Sequence, residues 1–300
     1  LFDDYATRGP QMKTQELTID RHMGYAFDFK VRELKNEPTL QYIRDSWLMA
    51  MAEMDSEQRA TWEAIYDKKN EEFLKNPPVG KDLLRWKYQR YVKEYCRTIR
   101  SVDEQVGRLL DYLEEKGVLD NTVIVYTSDQ GFLLGEHGLY DKRFMYEESF
   151  RTPLIISCPS LVKKHSVCKE LVQNIDLAPT FLSLAGVEVP KEMSGRSLLP
   201  LFKNGKAENW RNELYYHFYD YPAVGSVRKH DGIRTKRYKL IHWYGEGSGN
   251  DEAIDFWELY DLKKDVMEVN NVYDNPKYVK VREALTVQLE KLRKDVGVTE

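Results

Sequence analysis

The 300-residue chain is poor in cysteine, close to charge balance and without a long apolar run. Its 45 lysines and arginines against 49 aspartates and glutamates leave a formal charge of −4, so nothing draws it electrostatically to nucleic acid. No apolar stretch approaches the ~18 residues of a membrane-spanning helix, and mean hydropathy is −0.62. Any membrane contact through these residues is peripheral. The three cysteines, Cys96, Cys158 and Cys168, form no C-x-x-C pair and no even disulfide framework. A Cys158–Cys168 bridge is one reading, and buried free thiols are the preferred one. His-rich zinc sites, Gly-rich nucleotide loops and nucleophile-elbow serines are absent. The chain starts at Leu1 without a basic stretch and apolar core, so no secretory signal is read. A removed leader and a start inside a longer protein both fit.

Hydrophobic residues make up 42% and aromatics 12%, enough for a chain of this length to bury roughly three quarters of its unfolded surface. Residues 1 to about 30 mix polar, aromatic and Gly/Pro positions without a period, which predicts irregular chain wrapping the surface. From Pro38 to Lys75, Leu40, Ile43, Trp47, Met51 and Met54 recur at helical spacing, and Asp55 with Gln58 reads as a capping box opening a second helix. Asp82 to Lys116 is the longest helical signal. Its later half sets Ile99, Val102, Val106, Leu109, Leu110 and Leu113 on one face, predicted to be buried, with Gly117 placed to end it.

Thr122 to Thr127 is a nearly all-apolar, β-branched run, the signature of a strand covered on both faces in a parallel central sheet. Leu154 to Ser157 reads as another inner strand, and Asp176 to Ala185 as a helix ended by Gly186. Beyond about residue 205 the texture becomes aromatic and alternating, over 213–219, 231–243 and 256–260, with a closing helix over 275–296. The expected organisation is an irregular and helical portion (1–80), an α/β core (81–204) and a smaller antiparallel α+β subdomain (205–300).

Chemistry is expected beyond the carboxyl end of the Thr127 strand, where ligands gather in α/β sheets. Asp129 and Gln130 offer oxygen ligands suited to Ca²⁺ or Mg²⁺, although two ligands do not complete a site and, taken alone, a plain turn is the preferred reading. The run from Gly135 to Arg143 packs His137, Lys142 and two glycines into one short loop that hydrophobic packing does not require. A lysine there could neutralise a bound oxyanion and a histidine could assist a leaving group. The plain alternative for Lys142 is a solvated charge.

Together, Thr127-Ser128-Asp129-Gln130-Gly131, Gly135-Glu136-His137-Gly138, Lys142, Tyr146-Glu147-Glu148-Ser149 and Arg151-Thr152-Pro153-Leu154-Ile155 resemble the formylglycine-dependent type I sulfatases. Asp176-Leu177-Ala178-Pro179-Thr180, Ser194 to Leu199, Arg234 with Tyr238-Lys239-Leu240, and Glu258 to Leu262 extend the match to roughly residues 95–275. The resemblance implies part of an alkaline-phosphatase-like α/β domain followed by an antiparallel subdomain. It implies calcium on Asp129 and Gln130, a sulfate contact at Lys142, and either a catalytic or a loop-organising role for His137. It also implies a periplasmic, extracellular or lysosomal setting.

The family's nucleophile is formylglycine made from the cysteine of C-x-P/A-x-R, and no such frame is present. Cys158-Pro159-Ser160 lacks the arginine, and Cys96-Arg97-Thr98-Ile99-Arg100 carries Thr98 where Pro or Ala is needed. Asp3-Asp4 follows only two residues and reads as a surface turn in place of the family's acidic pair. The expectation is half an active site, inactive alone, whose partner is the upstream part of the same polypeptide. Tyr215 to Pro222 and His230-Asp231-Gly232-Ile233-Arg234 resemble glycan sulfatases of the N-acetylglucosamine-6-sulfatase type. His230, Asp231 and Arg234 are therefore the expected contacts to a sulfated sugar. A phosphatase, phosphodiesterase or phosphonate hydrolase of the same fold and a non-catalytic glycan-binding protein are the alternatives.

Overall fold

The structure, a computed structural model, describes residues 1–31, 41–222, 224–249 and 252–298. The first 31 residues hold one helical turn, α1 (Gln11–Thr14), in otherwise irregular backbone. They do not wrap the surface: Met12, Leu17, Ile19, Phe29 and Val31 are fully buried. Ile19, Phe29 and Val31 pack with Phe73, while Met12 and Leu17 join Trp243 and Tyr260. Lack of period had argued for a surface position, but an irregular segment can still thread a core if its backbone groups find partners.

Two helices follow, α2 (Gln41–Glu53) and α3 (Ser56–Lys75). Asp55 accepts hydrogen bonds from the N–H groups of Glu57 and Gln58, and the Gln58 side chain accepts from the Asp55 N–H, the reciprocal cap expected. Trp47 and Met51 are buried, and Leu40 lies outside the described residues. The 36-residue α4 (Gly80–Glu115) ends before Gly117, whose φ of 66° suits a glycine stop. Its first half is covered, with Trp86 stacked on Phe73 at 4.1 Å. Its second half is not: Ile99, Val102 and Leu109 are 50%, 44% and 56% exposed. The stripe is as periodic as predicted, but among the described residues it is only partly covered, with Val106, Leu110 and Leu113 half-buried.

The chain continues through β1 (Ile124–Thr127), β2 (Leu133–Leu134), β3 (Tyr140–Asp141), the single turn α5 (Glu147–Phe150) and β4 (Leu154–Ser157). The parallel pairing expected here is not seen among the described residues. β1 and β4 pair antiparallel, Ile124 opposite Ser157 and Thr127 opposite Leu154, and every strand pair among the described residues is antiparallel. The connecting residues 128–153 would be long enough for a parallel crossover, but they fold as the β2–β3 hairpin and one helical turn, and the chain doubles back. Nor are these strands covered on both faces, since Tyr126 and Ile155 are exposed.

After α6 (Leu177–Leu184) and α7 (Leu199–Phe202), the C-terminal part forms a four-stranded sheet. Its strands β5 (Glu213–Phe218), β6 (His230–Thr235), β7 (Tyr238–Gly245) and β8 (Ile254–Asp261) lie in sequence order. One face carries Ile233, Leu240 and Leu259 against Leu285 and Leu289 of α8 (Val279–Asp295). The other carries Ile241, Trp243 and Tyr260 against Phe144, Met145 and Tyr146. The loop bearing Lys142 is thereby anchored on a sheet packed on both faces.

Candidate functional site

A cavity of about 1450 Å³ opens at the carboxyl end of β1, bounded by α5, the segment 166–175 and the edge of the C-terminal sheet. Asp129, Gln130, Lys142 and Arg234 all line it. Gly131 makes this possible: a Cβ there would lie 2.2 Å from the Glu148 carbonyl oxygen and 2.6 Å from that of Arg151. Without a side chain, the turn after β1 seats on α5 through Gly131 N–H donating to the Ser149 carbonyl at 2.9 Å. Asp129 Oδ1 accepts from the Gln130 N–H at 3.1 Å, and Asn174 donates to the Asp129 carbonyl at 2.5 Å.

Donor chemistry at Asp129 and Gln130 suits a hard cation, but about six to eight oxygens are needed to fill a calcium shell. Among the described residues no group of three His, Cys, Asp or Glu side chains could hold a metal. The two residues fit part of a cation site and do not complete one. The three cysteines are free, and only Cys158 is buried; Cys96 and Cys168 are exposed, against the expectation of buried thiols.

Six lysine and arginine side chains line the cavity, Lys142, Arg143, Arg151, Lys169, Arg234 and Lys236, against three carboxylates, Asp129, Glu147 and Glu170. Three of the cations are tied: Arg234 to Glu147 at 3.1 Å, Lys236 to Glu170 at 2.6 Å, and Arg143 to Asp141. Lys142 has no ion pair or hydrogen bond among the described residues. The result is an anion-attracting wall in which Lys142, Arg151 and Lys169 have no ion pair among the described residues.

Behind this wall sits a network that the motifs did not announce. Lys239, fully buried on β7, reaches Glu147 at 2.9 Å, Glu268 at 2.7 Å and the Met145 carbonyl at 2.6 Å. Burial alone would raise the Glu147 pKa, but Lys239 and Arg234 outweigh it and bring it to about 2. Burial pushes the Glu268 carboxyl up. Tyr238-Lys239-Leu240 belonged to the motif run, yet one buried lysine in a strand carries no sign of which carboxylates will reach it.

The other expected site residues lie elsewhere. His137 is buried, its Nδ1 2.7 Å from Arg8 Nη2 and 3.0 Å from Asp3 Oδ2. Burial and the Arg8 charge lower its pKa to about 4. It does not line the cavity, so the structure favours its loop-organising role over the catalytic one, and Asp3 is an ion-pair partner and not a plain surface turn. His230 is fully buried, stacked on Trp243 at 4.2 Å with Nδ1 2.8 Å from the Arg228 carbonyl. Asp231 faces the opposite side of β6, where Arg293 of α8 donates to both its oxygens at 2.6 Å and Tyr215 donates at 3.0 Å. Neither reaches the cavity, and adjacent strand residues could not both have faced it. Of the three expected sugar contacts, only Arg234 lines the cavity, and the His230 and Asp231 side chains are engaged inside the fold.

The same chain can now be set beside known proteins. The family model described as Sulfatase matches residues 18–187, more than half of the chain. The chain belongs to the sulfatase family. A second model, N-sulphoglucosamine sulphohydrolase, C-terminal, matches residues 135–295. An N-acetylglucosamine-6-O-sulfatase of Bacteroides thetaiotaomicron is 45% identical over 98% of this chain and 51% of its own length. A human N-acetylglucosamine-6-sulfatase is 40% identical over 41% of this chain and 22% of its length. A protein solved in complex with its substrate D-glucosamine-2-N,6-O-disulfate superposes with a TM-score of 0.90 at 43% identity. That superposition covers all of this chain and 59% of the other. The sulfatase chain thus spans about half the length of the relatives it matches, and the family match reaches upstream of the motif run to residue 18.

Proposed function

We propose that this chain carries the anion-binding half of a sulfatase that removes sulfate from a sulfated glucosamine-type sugar. The observation that supports it most is the excess of lysine and arginine over carboxylate around one cavity, with Lys142 unneutralised beside Asp129 and Gln130. Lys142 would meet the sulfate or the bridging ester oxygen and stabilise negative charge as the S–O bond breaks. Arg234, held by Glu147, would orient the sugar. Asp129 and Gln130 would hold calcium together with ligands from the remainder of the protein, and bound calcium would neutralise charge on the sulfate. The nucleophile is assigned to formylglycine in the upstream part of the same polypeptide, because none of the three cysteines here stands in the required frame. That upstream part is also the partner that would cover the exposed face of α4. A periplasmic, extracellular or lysosomal setting follows from the family; no helix among the described residues is long and apolar enough to cross a membrane.

Calorimetric titration of the chain with glucosamine 6-sulfate, in calcium, tests the reading. Binding that weakens about tenfold or more in Lys142→Ala, the worth of one charge-assisted hydrogen bond, supports it. Unchanged affinity in that variant returns Lys142 to a solvated charge and favours a glycan-binding protein with a vestigial loop. Preference for the phosphate ester favours the phosphoryl-transfer alternative.

A further inference from the structure

Lys142 and Arg143 are consecutive, and in extended backbone consecutive side chains point to opposite sides. Here both line the same cavity. The backbone explains how: φ is 69° at Asp141 and 92° at Arg143, in the left-handed region that side-chain-bearing residues avoid. The kink turns the second cation to the side of the first. It is held from several directions. Tyr216 donates its hydroxyl to the Arg143 carbonyl at 2.7 Å, Lys239 donates to the Met145 carbonyl at 2.6 Å, and Phe144, Met145 and Tyr146 are fully buried. Backbone in a sparsely populated region persists only where its surroundings enforce it, and such residues concentrate at working sites. A glycine would sit at φ 92° freely, yet the position carries a long cationic side chain.

We propose that Arg143 is a second contact to the oxyanion that Lys142 receives, so that one sulfate group is held by a point charge and a planar fork. This rests on reading the cavity as a sulfate-ester site. Asp141 takes one Nη1 N–H of Arg143, which fixes the plane of the guanidinium, and this guanidinium makes no other hydrogen bond among the described residues. Its free edge offers two N–H groups at the spacing of two oxygens of a tetrahedral anion, a match that lysine does not provide. Arg143 is also where discrimination would arise, because an ester with fewer free oxygens cannot satisfy lysine and fork together.

The test is titration of the 300-residue chain with inorganic sulfate and with glucosamine 6-sulfate, in calcium, paired with thermal unfolding. Arg143→Gly removes the side chain while keeping the left-handed backbone comfortable. It should weaken both ligands about tenfold with no fall in the unfolding midpoint, and Arg143→Lys, which keeps the charge and loses the fork, should lie between. Wild-type affinity in Arg143→Gly alongside lost affinity in Lys142→Ala overturns the role of Arg143 and leaves the sulfate site standing. Loss of affinity and of thermal stability together, with both restored in Arg143→Lys, makes Arg143 a structural clamp and overturns the proposal. No sulfate binding by the wild-type chain removes the cavity reading and the proposal together.

Discussion

The C-terminal sheet and the second half of α4 carry equally regular apolar patterns and meet opposite fates. On β6, β7 and β8, Ile233, Leu240 and Leu259 are fully buried against Leu285 and Leu289. On α4, Ile99, Val102 and Leu109 keep about half their surface exposed. Both patterns obey the spacing of their element. A periodic apolar face therefore reports that an element needs a partner and says nothing of where in the chain that partner lies. The working loop sits between the two regions: Gly131 and α5 tie it to β1, and Lys239 ties it to β7.

That joint is where the contrast breaks most easily. Lys239→Met should destabilise the closed region by about 3–5 kcal/mol, because removing one partner of a buried ion pair leaves the others uncompensated. Glu147 and Glu268 would then face each other without the ammonium that separates them. Denaturant unfolding followed by tryptophan fluorescence, with Trp243 in the sheet, measures it. A loss below about 1 kcal/mol would mean that apolar packing alone holds the loop to the sheet. Next in size is Leu289→Ala. Its side chain is fully enclosed between α8 and the sheet, and a truncation of this kind costs about 2–5 kcal/mol through lost transfer energy and a cavity. A small effect there would show that α8 can shift to refill the space.

Local signals were legible where the chain answers to itself. The Asp55–Gln58 box, the Gly117 and Gly186 stops and the closing helix stand within a few residues of their predicted places. One alternating stretch, 231–243, proved to be two strands, since the hairpin after Thr235 has no glycine, proline or asparagine to mark it. Thr235 Oγ1 accepts from the Tyr238 N–H at 2.9 Å and closes that turn with a side chain. Strand direction was not legible, because it depends on the connection and not on the strand's own residues. Asp129, Gln130, Lys142 and Arg234, singled out by motif, do converge on one cavity. His137, His230 and Asp231 do not line that cavity: sequence lists polar groups without their burial, and each is engaged by an arginine, an aromatic ring or a carbonyl inside the fold.

The smallest expected effect is the sharpest test of what α4 is for. Leu109 is 56% exposed, so Leu109→Ala in this chain removes little buried surface and should change unfolding free energy by less than about 0.5 kcal/mol, as surface substitutions do. Alanine's higher helix propensity offsets part of even that. In the longer polypeptide proposed above, the same substitution should rise toward the Leu289→Ala value if the upstream part packs on this face, since a leucine buried on both sides loses transfer energy and leaves a cavity. Measuring the pair of variants in both lengths separates two causes of an exposed apolar stripe. A Leu109 effect that grows with the upstream part, while that of Leu289 stays fixed, makes α4 the surface on which the two halves of the active site are assembled. An effect that stays small in both leaves α4 exposed in the whole protein, and the coupling between the halves then has to run through β1 and its exposed Tyr126.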